Sequence, residues 1–310
     1  MRTNIFYFLF IIFSSASAQE TVKIWDGTEI RNKQSELSIF LPEKPNAFGV
    51  SVIICPGGSY YWLDMDNEGF SVAKYLNKQG ITAFVLRYRT AMHKYHHPAM
   101  IQDLQRSIQL VKENSKEYGI DPEKVGLIGF SAGGHLVGTA STYFDKNFLE
   151  ELGITPQVSL RPAFTAMIYP VISMTNNDIV HKKSRKNLLS KNYCPELAKM
   201  LSLEYNVRSD MPPMFIIQCV DDKTVDYRNA VNYEISLKEK TVPYFFKLYD
   251  APGHGFGINP KKTKTSKETP SWQNQFIYWV EETMNIQLNT ENLKNSFDAT
   301  NTSHRISIKN

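Results

Sequence analysis

Short apolar runs recur along the chain at residues 22–25, 36–41, 50–54, 81–86, 125–129, 164–169, 214–219 and 244–249. Their length and their content of Val, Ile, Phe and Tyr predict β-strands. The stretches between several of them carry a helical period instead. In 67–78, Val72, Ala73 and Leu76 share one face, and Gly80 supplies a stop. Pro98 suits a first helical position, and Ile101, Leu104, Ile108 and Val111 follow at helical spacing until Gly119. The residues after Ser131 read as a helix. Thr269-Pro270 opens a last one carrying Phe276, Trp279 and Val280. Continuous apolar strands separated by helices predict an α/β fold, a mostly parallel sheet with helices on both faces.

The alternation breaks in three places. Residues 171–212 form a long excursion between two strands, and such insertions are usually lids or binding loops. Residues 287–310 are polar and lack periodicity, which predicts a loosely ordered tail. At the start, Arg2 precedes nine unbroken apolar residues, Ile5 to Phe13, and then Ser14-Ser15-Ala16-Ser17-Ala18. That pattern predicts a signal peptide over 1–18, cleaved near Ala18, because the run is too short to span a bilayer. The reading is one domain over 19–286, working in the periplasm or outside the cell, with no membrane span and no internal repeat.

Composition narrows the classes. The 310 residues are 42% hydrophobic, 12% aromatic and 21% charged, enough apolar surface for a sizeable core. A formal net charge of +4 gives no ground for a nucleic-acid partner, which needs clustered cations on one face. Three cysteines, Cys55, Cys194 and Cys219, make no disulfide framework and fit no zinc spacing. Cys55 and Cys219 end apolar runs and read as buried thiols. One disulfide remains open, and the spacing does not select its pair. His93, His96 and His97 cluster ahead of Pro98, but no carboxylate or cysteine completes a metal set. No metal and no organic cofactor are expected.

The chemistry starts at Gly129-Phe130-Ser131-Ala132-Gly133. Gly-x-Ser-x-Gly between a strand and a helix predicts a nucleophile elbow, with small residues on both sides of the serine. A serine needs a base. His254 sits between Gly253 and Gly255 just after the strand 244–249, on a loop able to reach outward. His135 lies four residues after Ser131 on the same helix, and is expected to point away from the serine oxygen. An imidazole needs an orienting carboxylate, and Asp221-Asp222 follows the strand 214–219. Asp222 opens an Asp-x-x-Val turn and is favoured; Asp221 or the pair could instead cap the next helix. The resulting order Ser131, Asp222, His254 is that of α/β-hydrolases. Each of the three follows a strand, at the sheet edge where such folds place their sites. Pro56-Gly57-Gly58-Ser59-Tyr60 ends the strand 50–54. Its glycines let backbone N–H groups approach an oxyanion, with Gly58 or Ser59 and then Ala132 as donors. Tyr60, Tyr61 and Trp62 follow as candidate platforms for a sugar or aryl group, with core packing as the competing use. The run His181-Lys182-Lys183-Ser184-Arg185-Lys186 reads as a solvated surface of the insertion.

Several of these motifs together carry a resemblance. Pro56 to Tyr60 with Glu68-Gly69, Phe84 to Arg89, His97-Pro98, Gln102-Asp103, Gly129 to Leu136, Tyr169 to Met174, Asp221 to Val225 and Gly253-His254-Gly255 are similar to bacterial α/β-hydrolases of the acetyl xylan esterase and feruloyl esterase-like group. The resemblance covers roughly residues 45–285. It implies an α/β-hydrolase fold, a serine esterase removing acetyl or feruloyl groups from plant-type polysaccharide, and the second aspartate of the pair as triad acid. Ser59 stands where a third glycine is common in that group, and Asp226 where proline is common. The group also resembles prolyl-oligopeptidase-type peptidases, so the fold alone leaves open the bond cleaved. A hydrolase-like binding protein without catalysis is the non-enzyme alternative.

Overall fold

Alternate residues of the central strands enter two separate apolar layers. In β3 (Ser51–Cys55), Ile53 and Cys55 face one layer and Val52 and Ile54 the other. A strand buried on both faces has to sit inside a sheet that helices cover on both sides. The computed structural model describes residues 20–30, 34–258 and 271–288. Within them β3 belongs to an eight-stranded sheet with β1 (Glu20–Lys23), β2 (Glu36–Phe40), β4 (Thr82–Arg87), β5 (Val125–Phe130), β6 (Thr165–Ile168), β7 (Met214–Cys219) and β8 (Tyr244–Tyr249). The order across the sheet is β1-β2-β4-β3-β5-β6-β7-β8. The pairings of β2 with β1 and β4 are antiparallel, and the pairings among β3 to β8 are parallel. The chain turns one way from β3 to β4 and the other way at β5, so the sheet has its switch point between β3 and β5. A crevice opens there, beyond the strand C-terminal ends.

The helices divide between the faces as the two layers require. α1 (Ser71–Lys78) buries Val72, Ala73 and Leu76 in one layer, which α7 (Trp272–Met284) completes with Phe276, Ile277, Trp279 and Val280. α2 (Ala99–Glu113), α3 (Ala132–Thr142) and α6 (Arg228–Glu239) cover the other. The insertion 171–212 carries α4 (Lys182–Leu189) and α5 (Pro195–Met200). Its Leu188, Leu189 and Leu201 are buried in the second layer.

Three local features depart from the apolar pattern. The segment 67–78 does not begin as an α-helix: Asp66–Phe70 is a π-helical turn, and α1 starts at Ser71. Pro98 is the N-cap of α2 and not its first residue. α2 ends at Glu113, where the Asn114 side chain donates to Leu110 O (2.8 Å), and a turn carries the chain on to Gly119. The expected signal peptide, the Thr269-Pro270 helix start and the tail beyond residue 288 lie outside the described residues. Among the described residues no helix is long and apolar enough to cross a membrane. Cys55 and Cys219 are buried thiols, and Cys194 is an exposed one.

Two buried polar centres join segments distant in sequence. Asp103 on α2 accepts from Trp25 Nε1 (2.8 Å), Ser35 Oγ (2.9 Å), Arg89 Nε (2.9 Å) and Arg89 N (2.6 Å). That explains Arg89 and Asp103 structurally, as a knot tying the first strands to the body. His135 on α3 is the second centre. Its Nε2–H donates to Leu201 O (2.7 Å), which leaves Nδ1 to accept from the Tyr60 hydroxyl (2.8 Å). The ring is therefore neutral, and burial lowers its pKa from 6.5 to about 4. As pH falls through that interval the unfolded chain takes up a proton before the native protein does, so this ring makes native stability fall with pH. The stability of the wild type relative to His135→Gln is expected to drop by ~1.4 kcal/mol for each pH unit lost inside that interval. Denaturant titrations of both proteins across it check this; parallel stability-versus-pH curves would contradict a neutral His135.

Candidate active site

Ser131 connects β5 to α3 with φ +51° and ψ −116°, a conformation that costs a non-glycine residue of order 1–3 kcal/mol. Its surroundings hold it there. Ser131 N donates to Ile168 O (2.9 Å), and Ser131 O accepts from Val171 N (3.1 Å). Small flanking residues are obligatory: a Cβ on Gly133 would stand 2.1 Å from Cys55 O. α3 is thereby drawn against the end of β3, and the serine is presented at the switch point.

His254 reaches Ser131 from the loop after β8. Its Nε2 lies 2.8 Å from Ser131 Oγ and its Nδ1 2.6 Å from Asp222 Oδ2. A carboxylate only accepts, so Nδ1 carries the proton and Nε2 accepts from the serine hydroxyl. Asp222 is aimed by its own turn. Its other oxygen, Oδ1, accepts from Thr224 N (2.8 Å) and Val225 N (2.9 Å), which is what an Asp-x-x-Val turn offers a carboxylate. Of the adjacent pair the structure brings Asp222 to His254; Asp221 makes no such contact, and its Oδ1 is buried without a hydrogen-bond partner among the described residues. The arrangement can deprotonate Ser131 as it attacks and return the proton to a leaving group.

The loop after β3 faces this trio. Gly58 (φ +135°), Ser59 (+59°) and Tyr60 (+59°) run in succession through positive φ. Gly58 must be glycine, because a Cβ there would meet Trp62 O at 1.9 Å. The N–H groups of Gly58, Ser59 and Ala132 donate to no acceptor among the described residues, whereas Gly57 N–H is engaged by Glu68. Three spare donors flanking a nucleophile suit a developing oxyanion. The loop is anchored from two sides. Tyr88 Oη donates to Pro56 O (2.7 Å), and Asn187 Nδ2 on α4 donates to Ser59 O (2.8 Å).

The aromatic run needs correction at one position. Tyr60 is 0% exposed, its hydroxyl bound to His135 and its ring against Tyr88, so it is a core residue and not a substrate platform. The twist at Ser59 and Tyr60 turns that ring inward and leaves Tyr61 and Trp62 outside, 42% and 47% exposed. Lys183 on α4 lies 5.8 Å from the Tyr61 ring centroid. His96 Nδ1 donates to Asn187 O (2.7 Å), His97 N to Leu188 O (2.7 Å), and the His97 ring packs edge-on against Phe148. His96 and His97 thus dock α4. Glu68, Tyr169 and Asn187 belong to the site's frame although sequence reasoning gave them no role. The available signal was Glu68 itself, an acid beside Gly69 in a segment otherwise heading into the core.

Comparison with known proteins identifies the family. The BD-FAE family model matches residues 37–237. The acetylxylan esterase of Xylanibacter ruminicola is 34% identical over 229 residues, 73% of this chain and 44% of that protein. The endo-1,4-beta-xylanase B of Butyrivibrio fibrisolvens is 31% identical over 211 residues, 67% of this chain and 32% of that protein. The chain thus spans less than half the length of either relative. The crystal structure of an acetyl ester-xyloside bifunctional hydrolase from Caldicellulosiruptor lactoaceticus superposes with a TM-score of 0.75 at 31% identity, over 87% of this chain and 98% of that one. A family match over most of the chain, on a doubly covered parallel sheet with a serine elbow at its switch point, places this chain in the BD-FAE family of α/β hydrolases.

Proposed function

We propose that the protein is a serine carboxylic-ester hydrolase that removes short acyl groups, acetyl foremost, from plant-type polysaccharide. One observation carries the reading: the unbroken hydrogen-bonded chain Ser131 Oγ to His254 to Asp222. Ser131 attacks the ester carbonyl as His254 takes its proton. The N–H groups of Gly58, Ser59 and Ala132 receive the oxyanion. The tetrahedral adduct collapses as His254 protonates the departing sugar alkoxide. Water then hydrolyses the acyl-enzyme by the same steps. Asp222 fixes the imidazole tautomer throughout. The names of the acetylxylan esterase and acetyl ester-xyloside hydrolase relatives support the substrate class. Tyr61 and Trp62, exposed beside the oxyanion loop, give a sugar ring apolar faces to lie on. The insertion supports a short acyl group, because its leucines are buried in packing and do not form an acyl groove. The leader pattern in residues 1–18 supports export, so the hydrolase domain over 19–286 meets its polymer outside the cytoplasm.

Ser131→Ala should lower turnover of an aryl acetate by on the order of 10⁴-fold or more with the fold retained, since the members of such a unit act together. Asp222→Asn should lose on the order of 10⁴-fold and Asp221→Asn far less, because only the former leaves His254 in the wrong tautomer. A side-by-side assay checks the ranking, and the reverse order would reassign the acid. Across aryl acetate, butyrate and octanoate, kcat/KM should fall steadily, each unaccommodated methylene forfeiting up to ~0.8 kcal/mol of burial. Faster octanoate cleavage would replace the acetyl reading with a lipase-like one, and cleavage of Pro-aryl amides without ester cleavage would make the protein a peptidase. Release of acetate from acetylated xylan tests the polymer.

A further inference from the structure

The π-helical turn Asp66–Phe70 presents two consecutive residues, Asn67 and Glu68, to the interior between the oxyanion loop and the His254 loop. Single π turns are rare and cluster at functional sites, because the extra residue re-aims side chains that an α-helix would send outward. Glu68 is 4% exposed, and neither of its hydrogen-bonding partners is a cation. Burying a carboxylate costs several kcal/mol unless both oxygens are well bonded. Here each oxygen has one donor. Gly57 N donates to Oε2 (2.7 Å), and the Tyr169 hydroxyl donates to Oε1 (2.7 Å). The Tyr169 oxygen in turn accepts from Gly257 N (2.9 Å). The path therefore runs from the residue before the oxyanion donors, through Glu68 and Tyr169, to the far end of the loop that carries His254.

Further contacts press the same parts together. The Tyr169 ring lies 4.7 Å from the His254 ring, centroid to centroid. Asn67 Nδ2 donates to Gly255 O (3.2 Å), and Gly257 has no room for a Cβ, which would sit 2.3 Å from Asn67 Nδ2. Gly57 is equally close-set, since a Cβ there would lie 2.7 Å from Glu68 Oε2 and 2.9 Å from Ser131 Cβ. Tyr169 adopts φ +40° immediately after β6, so its position under His254 is held against a backbone cost.

We propose that Glu68, acting through Tyr169, is the positioning residue that holds the oxyanion loop and the His254 loop in register across Ser131. It touches neither substrate nor the reacting atoms. Its effect is on the geometry in which donors and base converge, and this rests on the serine-hydrolase reading above. The two donors that meet it, Gly57 N–H and the Tyr169 hydroxyl, favour its charged form against the burial that opposes it. A glutamine has the same shape but only one acceptor oxygen: if that oxygen keeps Gly57 N–H, its NH₂ faces Tyr169 as a second donor, and the Tyr169 hydroxyl loses the acceptor that fixes it.

The test is Glu68→Gln, Tyr169→Phe and the double variant, each assayed by steady-state kinetics on an aryl acetate and by the rate of covalent labelling with an aryl phosphonate. For each single variant kcat and the labelling rate should fall by roughly 10- to 100-fold while KM stays within about threefold, since misplacement by about an ångström costs rate and not binding. The double variant should be no slower than the worse single, because both break one path. Normal kcat and labelling in both single variants, with only a lowered melting temperature, would overturn the proposal and make the pair a core support. Additive losses in the double variant would overturn the shared path. If Glu68→Gln fails to fold, Tyr169→Phe, which removes one oxygen from a ring that keeps its packing, decides alone. If the wild type labels at Ser131 but cleaves no ester, the proposed substrate class fails while the labelling rates still judge Glu68. If the wild type does not label, the serine mechanism and this proposal fall together.

Discussion

A serine forced to φ +51° between a parallel strand and a helix is the constraint on which the rest of the site depends. The strain is tolerable only because its neighbours leave no alternative. The end of β3 lies so close to α3 that the helix must carry glycine at 133. The backbone of β6 and the residues after it grip Ser131 through Ile168 O and Val171 N. Once the turn is fixed, the helix N-terminus, the oxyanion loop and the crevice at the strand reversal all fall on the same side of Ser131. Binding energy of distant contacts is thereby converted into orientation at one oxygen atom, which is where preorganisation is most useful.

The fold was legible to the extent that burial is two-sided. Strands 214–219 and 244–249 match their apolar runs residue for residue. The first is buried on both faces, where a polar or proline neighbour already lies outside the layer; the second is a half-buried edge strand whose aromatic content marks it instead. The helix start at 67 was not legible in the same way. A π turn and an α turn differ in their hydrogen-bond partners, and the spacing of Val72, Ala73 and Leu76 is silent about Asp66–Phe70. The site divides along a similar line. Ser131, Asp222 and His254 could be named because each sits in a short motif next to a strand end, and the structure brings the three within hydrogen-bonding distance. Tyr60 was misread because side-chain direction there depends on two successive left-handed residues, Ser59 and Tyr60, neither of them glycine. Nothing in an aromatic triplet says that its first ring turns inward to a histidine and its other two outward. Asn187 was invisible because its partner, Ser59 O, is a backbone atom 128 positions away.

The insertion illustrates how a segment outside the strand alternation becomes part of the site without supplying chemistry. Its leucines share one apolar layer with α2 and α3, and its polar residues meet the loops around Ser131. Asn187 holds Ser59, and the carbonyls of Asn187 and Leu188 hold His96 and His97. Histidines that look like metal ligands in a sequence are here the sockets for a cap helix. His181 at the N-cap of α4 belongs to the same layer; burial, reinforced by the neighbouring His254, lowers its pKa to about 4. At neutral pH it is consequently uncharged and adds no positive charge beside His254.

Three buried carboxylates show how differently one charge can be accommodated. Asp103 is matched by an arginine and three further donors, a closed arrangement suited to fixing a chain segment in place. Asp222 is matched by two backbone amides and one imidazole, so one of its partners is a group able to change charge. Glu68 has only neutral donors, and burial raises its pKa, which means that the fold bears a cost for keeping it ionised. A residue selected for stability alone would be better as an apolar side chain of the same volume at such a position. The cost is consistent instead with a demand that two separate loops each find an acceptor at one fixed point, which a carboxylate meets and an apolar residue does not.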